Sequence, residues 1–143
     1  DRKLGGEAIP QLLADARRKI DAGSQVIIFP EGTRKAPLAA PDYRFGVTRM
    51  YLALGVPVVP VAVNSGLYWG RNSLVLWPGT ARARFLPVIP PGLDAEAFQA
   101  RLTGDIETAS AALALRAWKD GLSRPITTEL RAKFEALRTA PPA

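Results

Sequence analysis

The residues best suited to chemistry stand together at Phe29-Pro30-Glu31-Gly32-Thr33-Arg34, directly after a short apolar run. In open α/β sheets ligands gather outside the carboxyl ends of strands, and this segment occupies such an end. Arg34 carries a guanidinium able to grip a phosphate through two parallel, charge-assisted hydrogen bonds. Thr33 adds a hydroxyl donor. Gly32 lets the backbone approach an anion closely, with neighbouring N–H groups forming a concavity for negative charge. Glu31 would repel a phosphate, so its expected role is to orient Arg34 or to accept a hydrogen bond from a substrate hydroxyl. Taken alone, one Gly-containing loop better suits a plain strand end with an exposed Glu31–Arg34 pair.

What is missing narrows the chemistry further. The 143 residues contain no His and no Cys. Ser-His-Asp triads, imidazole general bases, thiolate nucleophiles and His or Cys metal sites are therefore excluded within this sequence. The carboxylates do not cluster, so no metal site is expected. Ser65 in Asn64-Ser65-Gly66 has neither an activating His nor a nucleophile-elbow context. The charge balance, 19 basic against 13 acidic residues for a net +6, favours acidic partners: phosphates, anionic lipid, nucleic acid or an acidic carrier protein. The length suits one domain, with 48% hydrophobic residues enough for a real core. No apolar run approaches the ~20 residues of a membrane-spanning helix. The longest candidate, Leu52 to Val63, is broken by Gly55, Pro57 and Pro60.

The elements that must position the loop follow from periodicity. Ile9, Leu12, Leu13, Ala16 and Ile20 predict a helix over 7–22, stopped by Gly23, with Arg17, Arg18 and Lys19 toward water. Gln25 to Phe29 is β-branched and apolar and predicts a strand buried on both faces, ended by Pro30. After a loop over 31–45, a second helix is expected from Gly46 to Leu54, and Val56 to Val63 as a further strand despite Pro57 and Pro60. Ser73–Trp77 and Ala81–Leu86 are expected to form a hairpin about Pro78-Gly79. Asp94 is placed to cap a long helix striped by Phe98, Leu102, Ile106, Ala109 and Leu113, and a last helix runs from about Thr128 to Leu137. The pattern is α/β: a mixed sheet flanked by helices.

Two stretches in order, Val26-Ile-Ile-Phe-Pro-Glu-Gly-Thr-Arg34 and Gly55-Val-Pro-Val-Val-Pro-Val-Ala-Val63, resemble the glycerophospholipid acyltransferase family, and within it the bacterial 1-acylglycerol-3-phosphate (lysophosphatidate) acyltransferases. The stretch ending at Arg34 resembles the family's EGTR block. The stretch ending at Val63 resembles its Val-Pro-rich block, continued by Asn64-Ser65-Gly66, and Asp1-Arg2 is similar to the tail of another. The likeness covers roughly residues 1 to 115. It implies a glycerolipid-acyltransferase-like fold, incomplete at its N-terminus, with residues 1–117 as the later part of the domain and 118–143 as a helical extension. It further implies transfer of a fatty acyl group from acyl-CoA or acyl-carrier protein to the free hydroxyl of lysophosphatidate, giving phosphatidate. By the resemblance Arg34 and Arg2 hold the acceptor phosphate, helped by Thr33 and the Gly32 backbone, while Glu31 positions the glycerol or the arginine. Pro57, Val58, Val59, Pro60 and Asn64 are candidates for a pocket wall. No cofactor is implied, the acyl carrier being a co-substrate.

The family's His-x4-Asp block supplies the base and is absent from this sequence. The expectation is therefore a piece of a longer enzyme, inactive alone, whose parent attaches peripherally or by an anchor to the cytoplasmic face of a bacterial inner membrane. The alternative is a basic phosphate-, lipid- or nucleic-acid-binding module without catalysis. Against nucleic acid, the sequence carries no helix-turn-helix or RNA-binding signature. Leu67-Tyr68-Trp69 and Trp77 suit either a membrane interface or packing, and Arg82 with Arg84 share a strand face expected to be solvated.

Overall fold

The computed structural model describes residues 8–139. Among the described residues there are four helices: α1 (Ala8–Asp21), α2 (Phe45–Leu54), α3 (Ala95–Asp120) and α4 (Thr128–Thr139). Between α2 and α3 lie two short strands, β1 (Val61–Val63) and β2 (Ala83–Phe85), and a 3-10 turn at Ser65–Leu67. The strands pair antiparallel, with Val61 opposite Phe85, Ala62 opposite Arg84 and Val63 opposite Ala83. An isolated bridge extends the pairing from Val58 to Ile89.

Helix α3 is the spine. Its start is fixed by Asp94, whose side chain accepts a hydrogen bond of 2.8 Å from the Ala97 N–H, satisfying a donor that the first turn leaves orphaned. Its apolar stripe then meets three packing centres in succession. Phe98 and Leu102 join Val47 and Tyr51 of α2 and Ile89. Ala109 and Leu113 cover Ala62 of β1. Ala114 and Ala117 pack with Leu67, Tyr68 and, from α4, Leu130 and Phe134. Phe98 is fully buried and stacks on Tyr51 with ring centroids 3.8 Å apart; burying such a ring stabilises the fold by roughly 1.5–3 kcal/mol.

α2 is latched by polar contacts both to α3 and to the segment leading into it. The Tyr51 hydroxyl donates to the Pro90 carbonyl at 2.7 Å and accepts from the Leu93 N–H at 3.0 Å. The buried Thr48 hydroxyl donates to Gln99. At the other end of α2, Gly55 closes the helix through its N–H to the Tyr51 carbonyl. Arg17 of α1, expected in water, donates to the Leu54 carbonyl and so satisfies one of the orphan acceptors of that helix end.

Two strand expectations fail, and for one reason. Gln25 to Phe29 is extended but unpaired, with Ile27 82% and Phe29 80% exposed. Among the described residues no backbone group of 25–28 finds a hydrogen-bond partner. Apolar β-branched composition suits a strand, but a strand exists only opposite another one. The hairpin about Pro78-Gly79 is likewise absent. The Trp77 N–H turns back to the Tyr68 carbonyl at 2.9 Å, and β2 pairs with β1 instead. Gly79 lies so close to the Tyr68 ring that a Cβ there would collide with it, which fixes the approach but not a hairpin. The expected mixed sheet is thus a two-stranded antiparallel one among the described residues. Helix α3 runs through position 117, and α4 shares its core.

Candidate functional site

The loop after Phe29 is a closed structure. It opens with a turn in which the Gly32 N–H donates to the Phe29 carbonyl at 3.0 Å, with Gly32 at φ 66°, a conformation that glycine adopts without strain. Its far end is tied back by the Arg44 N–H to the Pro30 carbonyl at 2.8 Å. Lys35 and Asp42 form an ion pair across it at 2.7 Å. Tyr43 anchors it to α3 through a hydrogen bond of 2.8 Å from its hydroxyl to Glu107. Compact loops with neighbouring ends of this kind carry function on a rigid base.

The four candidate residues of the loop separate into two directions. Glu31 is half-buried, and its carboxyl is pushed above the usual range, first by burial and then by the charge of Glu107, with Lys35 opposing. Burial and then its bond to Glu107 push the Tyr43 hydroxyl far up as well, so it remains a donor. The expected Glu31–Arg34 pairing does not form among the described residues. Arg34 goes the other way. Its guanidinium carbon lies 5.1 Å from the centroid of the Trp69 ring, a cation–π arrangement. Among the described residues no carboxylate lies within ion-pair distance of it. Thr33 and Arg34 are exposed. The Gly32 N–H, expected to face an anion, is used inside the turn.

The remaining sequence candidates sit elsewhere. Arg2 lies outside the described residues. Val58 exchanges backbone hydrogen bonds with Ile89 at 2.8 and 2.9 Å, and the buried Pro60 accepts from the Leu86 N–H at 2.9 Å. Pro57 and Val59 are exposed beside them. Asn64 is buried, its side-chain oxygen accepting from the Arg82 N–H at 2.7 Å and its amide donating to the Leu113 carbonyl at 3.5 Å. These residues join β1 to β2 and α3. The concave surface nearest the loop is a small cleft in which Ile28, Phe29 and Pro30 face Val47 and Met50 of α2, with Arg44 and Arg49 at its edge.

Sequence reasoning missed Trp69 as the partner of Arg34 and Glu107 as the neighbour of Glu31. No local pattern marks either, because both contacts join residues far apart in the chain. Arg82 and Arg84 also differ: Arg84 is exposed as expected, whereas Arg82 pairs with Asp120 at 2.9 Å. Among the described residues no group of His, Cys, Asp and Glu is arranged to hold a metal ion, and no helix is long and apolar enough to cross a membrane.

Comparison with known proteins decides what the loop belongs to. Residues 5–64 match the family model described as Acyltransferase, a stretch that contains the whole loop and β1. Over that stretch the chain resembles an acyltransferase domain. It is 34% identical over 96 residues to the 1-acyl-sn-glycerol-3-phosphate acyltransferase of Pseudomonas aeruginosa, covering 67% of this chain and 36% of that protein. It is 30% identical over 90 residues to the enzyme of that name from Cocos nucifera, 62% of this chain and 29% of the relative. The human 1-acyl-sn-glycerol-3-phosphate acyltransferase alpha is 28% identical over 91 residues, 63% of this chain and 32% of that one. The chain thus spans about a third of the length of the curated relatives it matches. No solved structure matches it.

Proposed function

We propose that this chain forms the acceptor-phosphate side of a 1-acyl-sn-glycerol-3-phosphate acyltransferase. The observation that carries the reading is Arg34: an exposed guanidinium, seated on an aromatic ring and paired with no carboxylate among the described residues, in a loop inside the family-matched stretch. Its in-plane N–H donors suit the oxygens of a phosphate monoester, with the Thr33 hydroxyl beside them. The relatives' names supply the acceptor, 1-acylglycerol 3-phosphate.

The reaction is transfer of an acyl group from sulfur to oxygen. The acceptor hydroxyl loses its proton to a base, its oxygen attacks the thioester carbonyl, and the thiol leaves with a proton. No redox step and no cofactor is needed; acyl-CoA or acyl-carrier protein is consumed as co-substrate. The base is not in these residues, since the chain holds no His, and the 143 residues alone are inactive on this reading. On this reading Arg2 takes part in holding the phosphate, and Glu31 positions the acceptor glycerol. The net charge of +6 favours an acidic carrier protein and an anionic bilayer. The acceptor is itself a membrane lipid, so the protein works at a membrane surface, the cytoplasmic face of a bacterial inner membrane.

The test is acceptor dependence. In a catalytically competent protein carrying this sequence, Arg34→Ala should lower kcat/KM for lysophosphatidate at least about tenfold, since a charge-assisted hydrogen bond contributes roughly 1.5–3 kcal/mol. The dependence on the acyl donor should stay unchanged. An unaltered acceptor profile removes Arg34 from the site.

A further inference from the structure

We infer that Trp69 is a positioning residue for Arg34, an aromatic plate that aims the guanidinium at a phosphate monoester while leaving its charge unneutralised. The inference rests on the acceptor role of Arg34 proposed above and names the residue through which that role is exercised.

An arginine can be held in place in two ways. A carboxylate fixes it by occupying its in-plane N–H donors and cancelling its charge, which leaves little for a ligand. An aromatic face fixes it through the ring quadrupole and touches only the flat side of the guanidinium, so the edge donors stay available. The loop uses the aromatic device at position 34 and the carboxylate device one residue later. Lys35 is paired with Asp42 at 2.7 Å, whereas the Arg34 guanidinium carbon stands 5.1 Å from the Trp69 centroid with no carboxylate partner among the described residues. Glu31, the acid nearest in sequence, forms no ion pair with Arg34 among the described residues.

The plate is itself immobilised, as a positioning group must be. The Trp69 backbone N–H donates to the Ser65 carbonyl at 3.0 Å, in the 3-10 turn that follows β1. Its indole N–H donates to the Ser73 carbonyl at 2.9 Å. Its neighbour Tyr68 is buried in the core shared by α3 and α4. The ring is half exposed, so the stack it offers Arg34 lies at the surface, where a ligand reaches it.

Binding of 1-acylglycerol 3-phosphate to the chain, measured by calorimetry, tests the inference with Trp69→Leu, Trp69→Phe, Arg34→Ala and the Arg34→Ala/Trp69→Leu double variant. Trp69→Leu should weaken binding about two- to fivefold, the worth of a surface cation–π contact, and Trp69→Phe should fall between it and the wild type. The decisive arm is the cycle: in the Arg34→Ala background Trp69→Leu should cost nothing further, because a positioning residue acts only through the group it positions. An equal loss in both backgrounds, or none in the wild-type one, overturns the inference. If Arg34→Ala itself leaves binding unchanged, the acceptor reading is what fails. Glycerol 3-phosphate and inorganic phosphate serve as further probes. The same Trp69 dependence toward inorganic phosphate, bound as tightly as the lysolipid, upholds the plate and overturns the lipid acceptor. Should Trp69→Leu not fold, binding must still rank Trp above Tyr and Phe at position 69; equal affinity for all three overturns the inference.

Discussion

Tyr51→Phe isolates the polar latch between α2 and the segment leading into α3. The ring stays, and with it the stack on Phe98 at 3.8 Å. Only the hydroxyl goes, taking the 2.7 Å bond to the Pro90 carbonyl and the 3.0 Å bond from the Leu93 N–H. Each such bond is worth about 1 kcal/mol net, and a partner left unpaired in a partly buried site adds to the loss. The expected cost is about 2 kcal/mol. For a chain of this size that lowers Tm by roughly 4–8 °C. With a urea m-value of about 2 kcal/mol/M, the midpoint falls by about 1 M at unchanged slope. Equilibrium urea unfolding followed by tryptophan fluorescence reads both quantities. A midpoint shift under about 0.25 M would show that water replaces the hydroxyl without loss, and the latch would then be packing alone. A changed slope would point to the unfolded state instead.

Two further outcomes are expected. Glu31 has a carboxyl raised above the ordinary value of 4.5 by burial and by Glu107. The folded state therefore holds the proton more tightly than the unfolded one, and stability is lost as pH rises through the folded value. Glu31→Gln should melt higher than the wild type at pH 7, with the difference closing below about pH 4; a gap independent of pH would show that the charge is solvated. Incubated with acyl-CoA and lysophosphatidate, the 143-residue chain should form no phosphatidate, and product formation would place a base other than imidazole among its residues.

The helices were legible in the sequence because each is specified locally. The stripe from Phe98 to Leu113, the cap at Asp94 and the stop at Gly55 are all readable within a few turns, and all three act as expected. Strands were legible only in part: β1 and β2 fall within the expected 56–63 and 81–86, but their pairing was not, because strand hydrogen bonds depend on a neighbour the local sequence does not name. Gln25 to Phe29 and Ser73 to Trp77 have strand-like composition and no ladder among the described residues, while the short run Ala83 to Phe85 has one. The site divides along the same line. The position of the loop followed from the order of Phe29, Pro30, Gly32 and Arg34, but the contacts that set its electrostatics, Trp69 on Arg34 and Glu107 near Glu31, join residues far apart in the chain. Asn64 was expected to line a pocket and instead ties β1 to β2 and α3; an amide side chain is the same letter in sequence whichever use it is put to.

The uncovered stretch from Val26 to Phe29 has a consequence for handling. It offers unspent amides and unspent oily side chains along one extended ribbon, the combination that natural edges blunt with lysine or proline. Here the first proline comes only at its end, at Pro30, and no lysine interrupts it. Since this stretch is open among the described residues, an added β-strand would find both hydrogen-bonding groups and apolar side chains there, and self-association of the chain should rise with its concentration.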